Sequence, residues 1–150
     1  WDGRFYRLDL ADGTDQWSFE TGEVIMSNPG IDPDLGVVYV GSDDYHVHAL
    51  ATDTGEELWA TNVDGYVIGS VTVTAETVLV GSYDRHLYAL EKDTGEVRWR
   101  LECGGHVTSE AVPHDGRIYV AERADISGYW DENTRERLRE RGRVYGIVGR

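Results

Sequence analysis

Between Gly41 and Trp59 the apolar and polar positions follow a period of two, with Val47 and Ala49 alternating with His46, His48 and Leu50. Such alternation predicts a half-buried β-strand. The run Val78-Leu79-Val80 is short and continuous, and suits a strand buried on both faces. Asp53-Thr54-Gly55 and Asp93-Thr94-Gly95 interrupt the apolar stretches. These are hairpin residues, Asp bonding its own backbone two residues on and Gly taking a positive φ at a bulge. Four short strands are predicted for this stretch, near 66–72, 77–81, 86–91 and 97–102.

The pattern repeats. Gly41, Leu50 and Trp59 return as Gly81, Leu90 and Trp99, each 40 positions later. Leu8, Gly13 and Trp17 precede Leu50, Gly55 and Trp59 by 42, and Ile118-Tyr119-Val120 follows Val78-Leu79-Val80 by 40. A four-stranded sheet with two apolar faces cannot bury both alone. Stacking sheet on sheet buries them, and curving the stack into a ring removes its outer ends. A period near 40, four strands and one Trp per repeat predict the blades of a β-propeller. The fold class is all-β, a partial propeller of four-stranded antiparallel blades. Residues 1–23 end one blade, 24–62 and 63–102 form two more, and 103–150 form an incomplete one. Trp17, Trp59 and Trp99 each follow Gly13, Gly55 or Gly95 by four residues. They are read as structural fillers of one recurring inter-blade gap, since a ligand-stacking Trp would rarely recur in every blade.

The motif Ala-Leu-x-x-x-Thr-Gly-x-x-x-Trp, seen at Ala49-Leu50…Thr54-Gly55…Trp59 and again at Ala89-Leu90…Thr94-Gly95…Trp99, resembles the pyrroloquinoline-quinone-like (PQQ-like) propeller repeat. Tyr39-Val40-Gly41-Ser42 before it does so too. The opening copy departs, with Arg7-Leu8 for Ala-Leu and Asp12-Gly13 for Thr-Gly. Family propellers usually have seven or eight blades, so the resemblance implies about half a ring. The remaining blades would come from a longer parent chain or a second copy. The family includes quinone-dependent alcohol and sugar dehydrogenases, a bacterial outer-membrane assembly lipoprotein and many cofactor-free propellers, so it implies a fold more firmly than an activity. An extracytoplasmic or cell-surface location is its further implication. The dehydrogenase members carry adjacent cysteines over the quinone, a stacking Trp and calcium ligands, whereas Cys103 is the single cysteine here. The expectation is no cofactor in this fragment, with PQQ and calcium entering only if it is part of a dehydrogenase.

The formal charge is −14, from 28 acidic and 14 basic residues, and Lys92 is the only lysine. Near-absence of Lys beside abundant Asp and Glu points to adaptation to high salt, which screens like-charge repulsion. The same charge argues against nucleic acid, whose phosphates it repels. No apolar stretch approaches the ~20 residues of a membrane span. One cysteine allows no intrachain disulfide.

Several residues invite a chemical reading. His46 and His86 hold one repeat position, which Arg4 and Arg143 hold in the outer copies. An anion or metal site is the sharp reading of these four; polar residues beside an exposed turn, too far apart to chelate, is the preferred one. Ser42, Asp44 and His46, like Ser82, Asp84 and His86, contain the residue types of a catalytic triad. Both trios lie in one tight turn and recur, which marks architecture. Asp9, Asp12 and Asp15 around Gly13 have the composition of a calcium loop without its bidentate Glu, and align with the hairpin turns. No site is assigned as catalytic, cofactor-binding or metal-binding.

One stretch breaks the repeat. Ile147 lies 57 residues beyond Leu90, so 17 residues are inserted between the second and third strands of the last blade, within 123–143. Asp131 or Asn133 can cap a helix near 131–142 and Gly142 can end it. Leu138 is its one apolar residue, so it has almost nothing to bury. Tyr129, Trp130, Arg135, Arg137, Arg139 and Arg141 are the candidate partner-binding residues. A solvated excursion with Trp130 packed under it is the competing reading. The function expected is a non-catalytic propeller scaffold that binds a protein partner; a segment of a quinoprotein alcohol or sugar dehydrogenase is the alternative.

Overall fold

The computed structural model describes residues 2–123 and 144–148 as strands and turns. Strands β1 (Arg4–Leu8) and β2 (Asp15–Glu20) form a hairpin. The next sheet runs in chain order through β3 (Gly30–Asp32), β4 (Val37–Gly41), β5 (His46–Ala51) and β6 (Glu57–Asn62). Its successor repeats that order with β7 (Thr72–Val73), β8 (Thr77–Gly81), β9 (His86–Glu91) and β10 (Val97–Glu102). In the last sheet β13 (Arg117–Arg123) pairs with β11 (His106–Val107), β12 (Val112–His114) and β14 (Val144–Val148). Every pairing is antiparallel. This is a partial β-propeller of antiparallel blades.

The core is divided among the gaps between sheets. Val38, Val40 and Leu50 pack with Phe5, Trp17, Phe19 and Ile25 of the first hairpin. The alternate residues of the same strands, Val37, Tyr39, Val47 and Ala49, pack instead with Val78, Val80, Tyr88 and Leu90 of the following blade. In the third gap Leu79, Leu87 and Ala89 meet Val107, Ala111 and Val120. Each inner strand thus sends alternate side chains into two separate cores. All five residues of β4 and of β8 are buried for this reason. The half-buried pattern expected of β5 is corrected on the same ground, because its four central residues, His48 included, are buried between two sheets. The strand expected at 66–72 is also shorter, confined to Thr72–Val73. Residues 63–71 serve as the connector, and Val67 fills the space above Gly41, where a Cβ would stand 2.1 Å from a Val67 methyl carbon.

The hairpin turns repeat closely. Gly13, Gly55 and Gly95 have φ of 75°, 72° and 73°. Their amides donate to Asp9, Ala51 and Glu91 carbonyls at 2.9, 2.8 and 2.9 Å. A register shift follows each turn, and beyond it Trp17, Trp59 and Trp99 oppose Arg7, Ala49 and Ala89. Trp17 crosses to the next blade, donating its Nε1–H to the Thr52 carbonyl at 2.8 Å and covering Gly55. Trp59 does the same with the Lys92 carbonyl at 2.9 Å and Gly95. The lone lysine adds an ion pair in this gap, with buried Asp32. Trp99 is partly buried beside Leu79, Leu101, Pro113 and Ile118 in a cleft of about 710 Å³. The acceptor position matching Lys92 is residue 149, outside the described residues.

The last blade repeats the register of its predecessors. Val120 opposes Tyr145 as Val80 opposes Tyr88 and Val40 opposes His48. The chain therefore leaves β13 at Arg123 and re-enters β14 at Val144 where the other blades have the four-residue turns 42–45 and 82–85. The helix expected near 131–142 lies outside the described residues.

Candidate functional site

The turns 42–45 and 82–85 share one face with the connectors 21–29, 63–71 and 103–111. Ser42 and Ser82 are fully buried there. The Ser42 hydroxyl donates toward the Glu23 and Val24 carbonyls at 3.4 and 3.3 Å and accepts the Asp44 amide. That of Ser82 donates to the Val63 carbonyl at 3.2 Å and accepts the Asp84 amide. Both hydroxyls hold backbone, and neither faces an imidazole as a nucleophile would.

Asp44 and Asp84 are the second anchors of these turns. Each carboxylate accepts the amide two residues on, from His46 or His86, at 2.9 Å. Tyr45 and Arg85 between them adopt the left-handed conformation, both with φ of 73°. The Asp44 carboxylate also receives the Gly22 amide at 3.0 Å and His48 Nε2 at 3.1 Å. Burial pushes its pKa up, but the bonds from Gly22, His46 and His48 outweigh that and hold it below the ordinary carboxylate value. His48 Nδ1 meets Glu57 at 2.7 Å. In the next blade the Asp84 carboxylate takes His86 Nδ1 at 2.9 Å and the hydroxyl of Tyr88. His46, His86 and Arg4 thus sit beside turns and bond within their own blades, as Arg4 does with Glu20 and Ser18. Arg143 lies outside the described residues. Among the described residues no cluster of three or more His, Cys, Asp or Glu side chains could hold a metal ion. The Asp12 carboxylate at the first hairpin accepts the Thr14 amide and hydroxyl at 3.0 and 2.8 Å, which makes it a turn.

The exposed feature of the face is a row of rings. Tyr45 and Tyr66 have centroids 5.1 Å apart, and Tyr66 meets Tyr83 edge-on at 5.9 Å. Tyr83 stacks on His106 at 4.4 Å, with planes 17° apart. Tyr45 and Tyr83 of the turns alternate along the row with Tyr66 of a connector and His106 of β11, so it runs from the second blade to the last sheet. Tyr45 and Tyr66 are 41% and 42% exposed. Gly65 permits this approach, since a Cβ there would lie 2.6 Å from the Asp84 amide nitrogen. Glu23 and Asp43 flank the exposed end. The interaction with the Tyr45 hydroxyl raises the Tyr66 pKa, with burial next and the Asp43 and Glu23 charges adding least. Burial, Glu23 and Asp44 raise that of Asp43, whose Oδ1 is buried without a hydrogen-bond partner among the described residues.

None of these rings was singled out from the sequence. Tyr45 aligns with Arg85, Tyr83 with Asp43 and Tyr66 with Val24, so the row has no repeat signature. An excess of nine tyrosines over two phenylalanines is the signal that was available, since a hydroxyl suits rings that reach water. Tyr129, Trp130, Arg135, Arg137, Arg139 and Arg141 lie outside the described residues.

The sequence profile of the family described as outer membrane protein assembly factor BamB matches residues 2–140. The chain belongs to this family. Among solved structures, BamB from Moraxella catarrhalis is similar at 16% identity and a TM-score of 0.63, covering 73% of this chain and 35% of that one. The quinohemoprotein alcohol dehydrogenase ADHIIG from Pseudomonas putida HK5 matches at 17% identity and 0.68, covering 77% of this chain and 25% of that one. The quinohemoprotein alcohol dehydrogenase from Comamonas testosteroni matches at 18% and 0.68, covering 79% and 26%. This chain therefore spans about a quarter to a third of the length of these structures, and at such identities the likeness is one of fold. No curated protein matches.

Among the described residues, three of the types tied to quinone chemistry are held elsewhere. The Cys103 thiol is buried and directed at the Leu101 carbonyl, and burial raises its pKa. Trp17 and Trp59 are held in inter-blade gaps. These residues do not fit a quinone-stacking site.

Proposed function

We propose that this chain is part of a non-catalytic propeller scaffold that presents the face of the turns 42–45 and 82–85 to a protein partner. The observation that carries the reading is the commitment of Ser42, Ser82, Asp44 and Asp84 to backbone hydrogen bonds that recur from blade to blade. Groups that could perform chemistry hold the frame, and exposed tyrosines remain on the surface. Tyrosine is enriched at the energetic centres of protein interfaces. Membership of a family described by outer-membrane assembly supports a partner that is a protein and an extracytoplasmic location. Tyr129, Trp130 and the arginines at 135, 137, 139 and 141 belong to this proposed surface. No cofactor is assigned to the fragment, and its acidity is read as adaptation to high salt.

The full-length protein, incubated with pyrroloquinoline quinone and calcium and assayed with a dye acceptor and alcohol or sugar substrates, should show no turnover. Turnover that disappears when the quinone is withheld would establish the dehydrogenase reading in its place.

A further inference from the structure

We propose that Tyr45 and Tyr66, with Glu23 and Asp43, form a docking site for an arginine-bearing segment of the partner protein. The inference deepens the scaffold reading and rests on it. The two rings expose about two fifths of their surface and lie in contact across the gap between the second and third blades. Aromatic faces attract cations, Arg above all, because the guanidinium can stack on a ring and donate to a carboxylate at once.

Charge decides what kind of segment fits. The Asp43 amide donates to the Val24 carbonyl, next to Glu23, at 2.9 Å, which brings both carboxylate-bearing residues beside Tyr45. Among the described residues neither has a cationic partner within salt-bridge distance. The carboxylates of the two turns are used: Asp44 by Gly22, His46 and His48, Asp84 by His86 and Tyr88. Arg85 occupies the position of Tyr45 in the next blade, so the row loses its anionic character toward Tyr83 and His106. The exposed pair with the unpaired carboxylates is the end a cation would seek. A second copy of this chain, at −14, would be repelled.

The test uses the full-length protein and a fluorescent peptide of alternating arginine and glycine, read by anisotropy at fixed ionic strength. The wild type should bind it and ignore a matched glutamate–glycine peptide. The pair Glu23→Gln and Asp43→Asn should weaken binding about tenfold, the loss of one charge-assisted contact. Tyr66→Leu should weaken it about two- to fivefold, the range of an exposed cation–π contact. Glu56→Gln with Glu96→Gln, on the opposite face, removes the same charge at a distance and should leave affinity nearly unchanged. Unaltered melting curves verify folding; should Tyr66→Leu unfold, Tyr66→Phe with the charge variants carries the comparison. Equal losses for the near and remote pairs mean diffuse attraction and overturn the proposal. Higher affinity after deletion of 128–141 makes the chain's own arginines the occupant and also overturns it. In either case a partner still captured by the variants leaves the scaffold reading standing.

Discussion

At the level of single residues, the repeated turn glycines offer a controlled comparison. Gly13 and Gly95 share the same backbone conformation, at φ of 75° and 73°. A Cβ added to Gly13 meets nothing within 4 Å, whereas one on Gly95 would come 2.5 Å from Thr61 Oγ1 and 2.6 Å from the Trp59 ring. Gly13→Ala should therefore cost only the left-handed backbone penalty of about 1–2 kcal/mol. Gly95→Ala should add about 1–3 kcal/mol for overpacking a gap that cannot widen without displacing the indole from the Lys92 carbonyl. Denaturant melts of the two variants should differ accordingly. Equal losses would mean that the Trp59 gap yields freely and is not a tight joint. The Trp17 and Trp59 positions were legible in the sequence because they recur with the glycine. Tyr45, Tyr66 and Tyr83 were not, because a surface row built from unlike repeat positions leaves no period to detect.

Among the elements, the strands and hairpins followed from the alternation and from Asp-Thr-Gly, since local chemistry determines them. The extent of β7 did not follow. Val67 and Val71 continue the apolar pattern, yet they fill inter-blade cores from a connector and a blade edge, so apolarity there reports burial without strand pairing. The insertion was legible by counting, and the pairing of Val120 with Tyr145 places it between β13 and β14. Its attachment at the ends of two paired strands leads to an expectation. Deleting 128–141 behind a short Gly linker should leave the propeller folded, because halving a loop changes closure entropy by only about 0.6 kcal/mol. Capture of the partner should fall in that variant and in Trp130→Ala. A drop of several degrees in melting temperature for Trp130→Ala, with capture intact, would instead assign Trp130 to the core.

For the whole molecule, the salt-adaptation reading concerns the charge carried by the blades. Residues 122–143 carry six acidic and six basic side chains, so the remaining 22 acidic and 8 basic residues account for the entire −14. Repulsion between neighbouring blades reaches across about 10 Å at 0.1 M salt and about 3 Å at 1 M. Melting temperature should rise by several degrees between 0.1 and 2 M KCl; a flat or falling curve would remove the salt-adaptation reading. The joints themselves have a different character. Their acceptors are main-chain carbonyls, of Thr52 in one gap and Lys92 in the next. A carbonyl is present whatever side chain the position bears, so neither partner must change in step with the other. A gene segment encoding one blade can then be copied or lost and the joint on each side can still close. Lineages assembled this way can change circumference in whole units while the loops on each unit diverge for separate tasks.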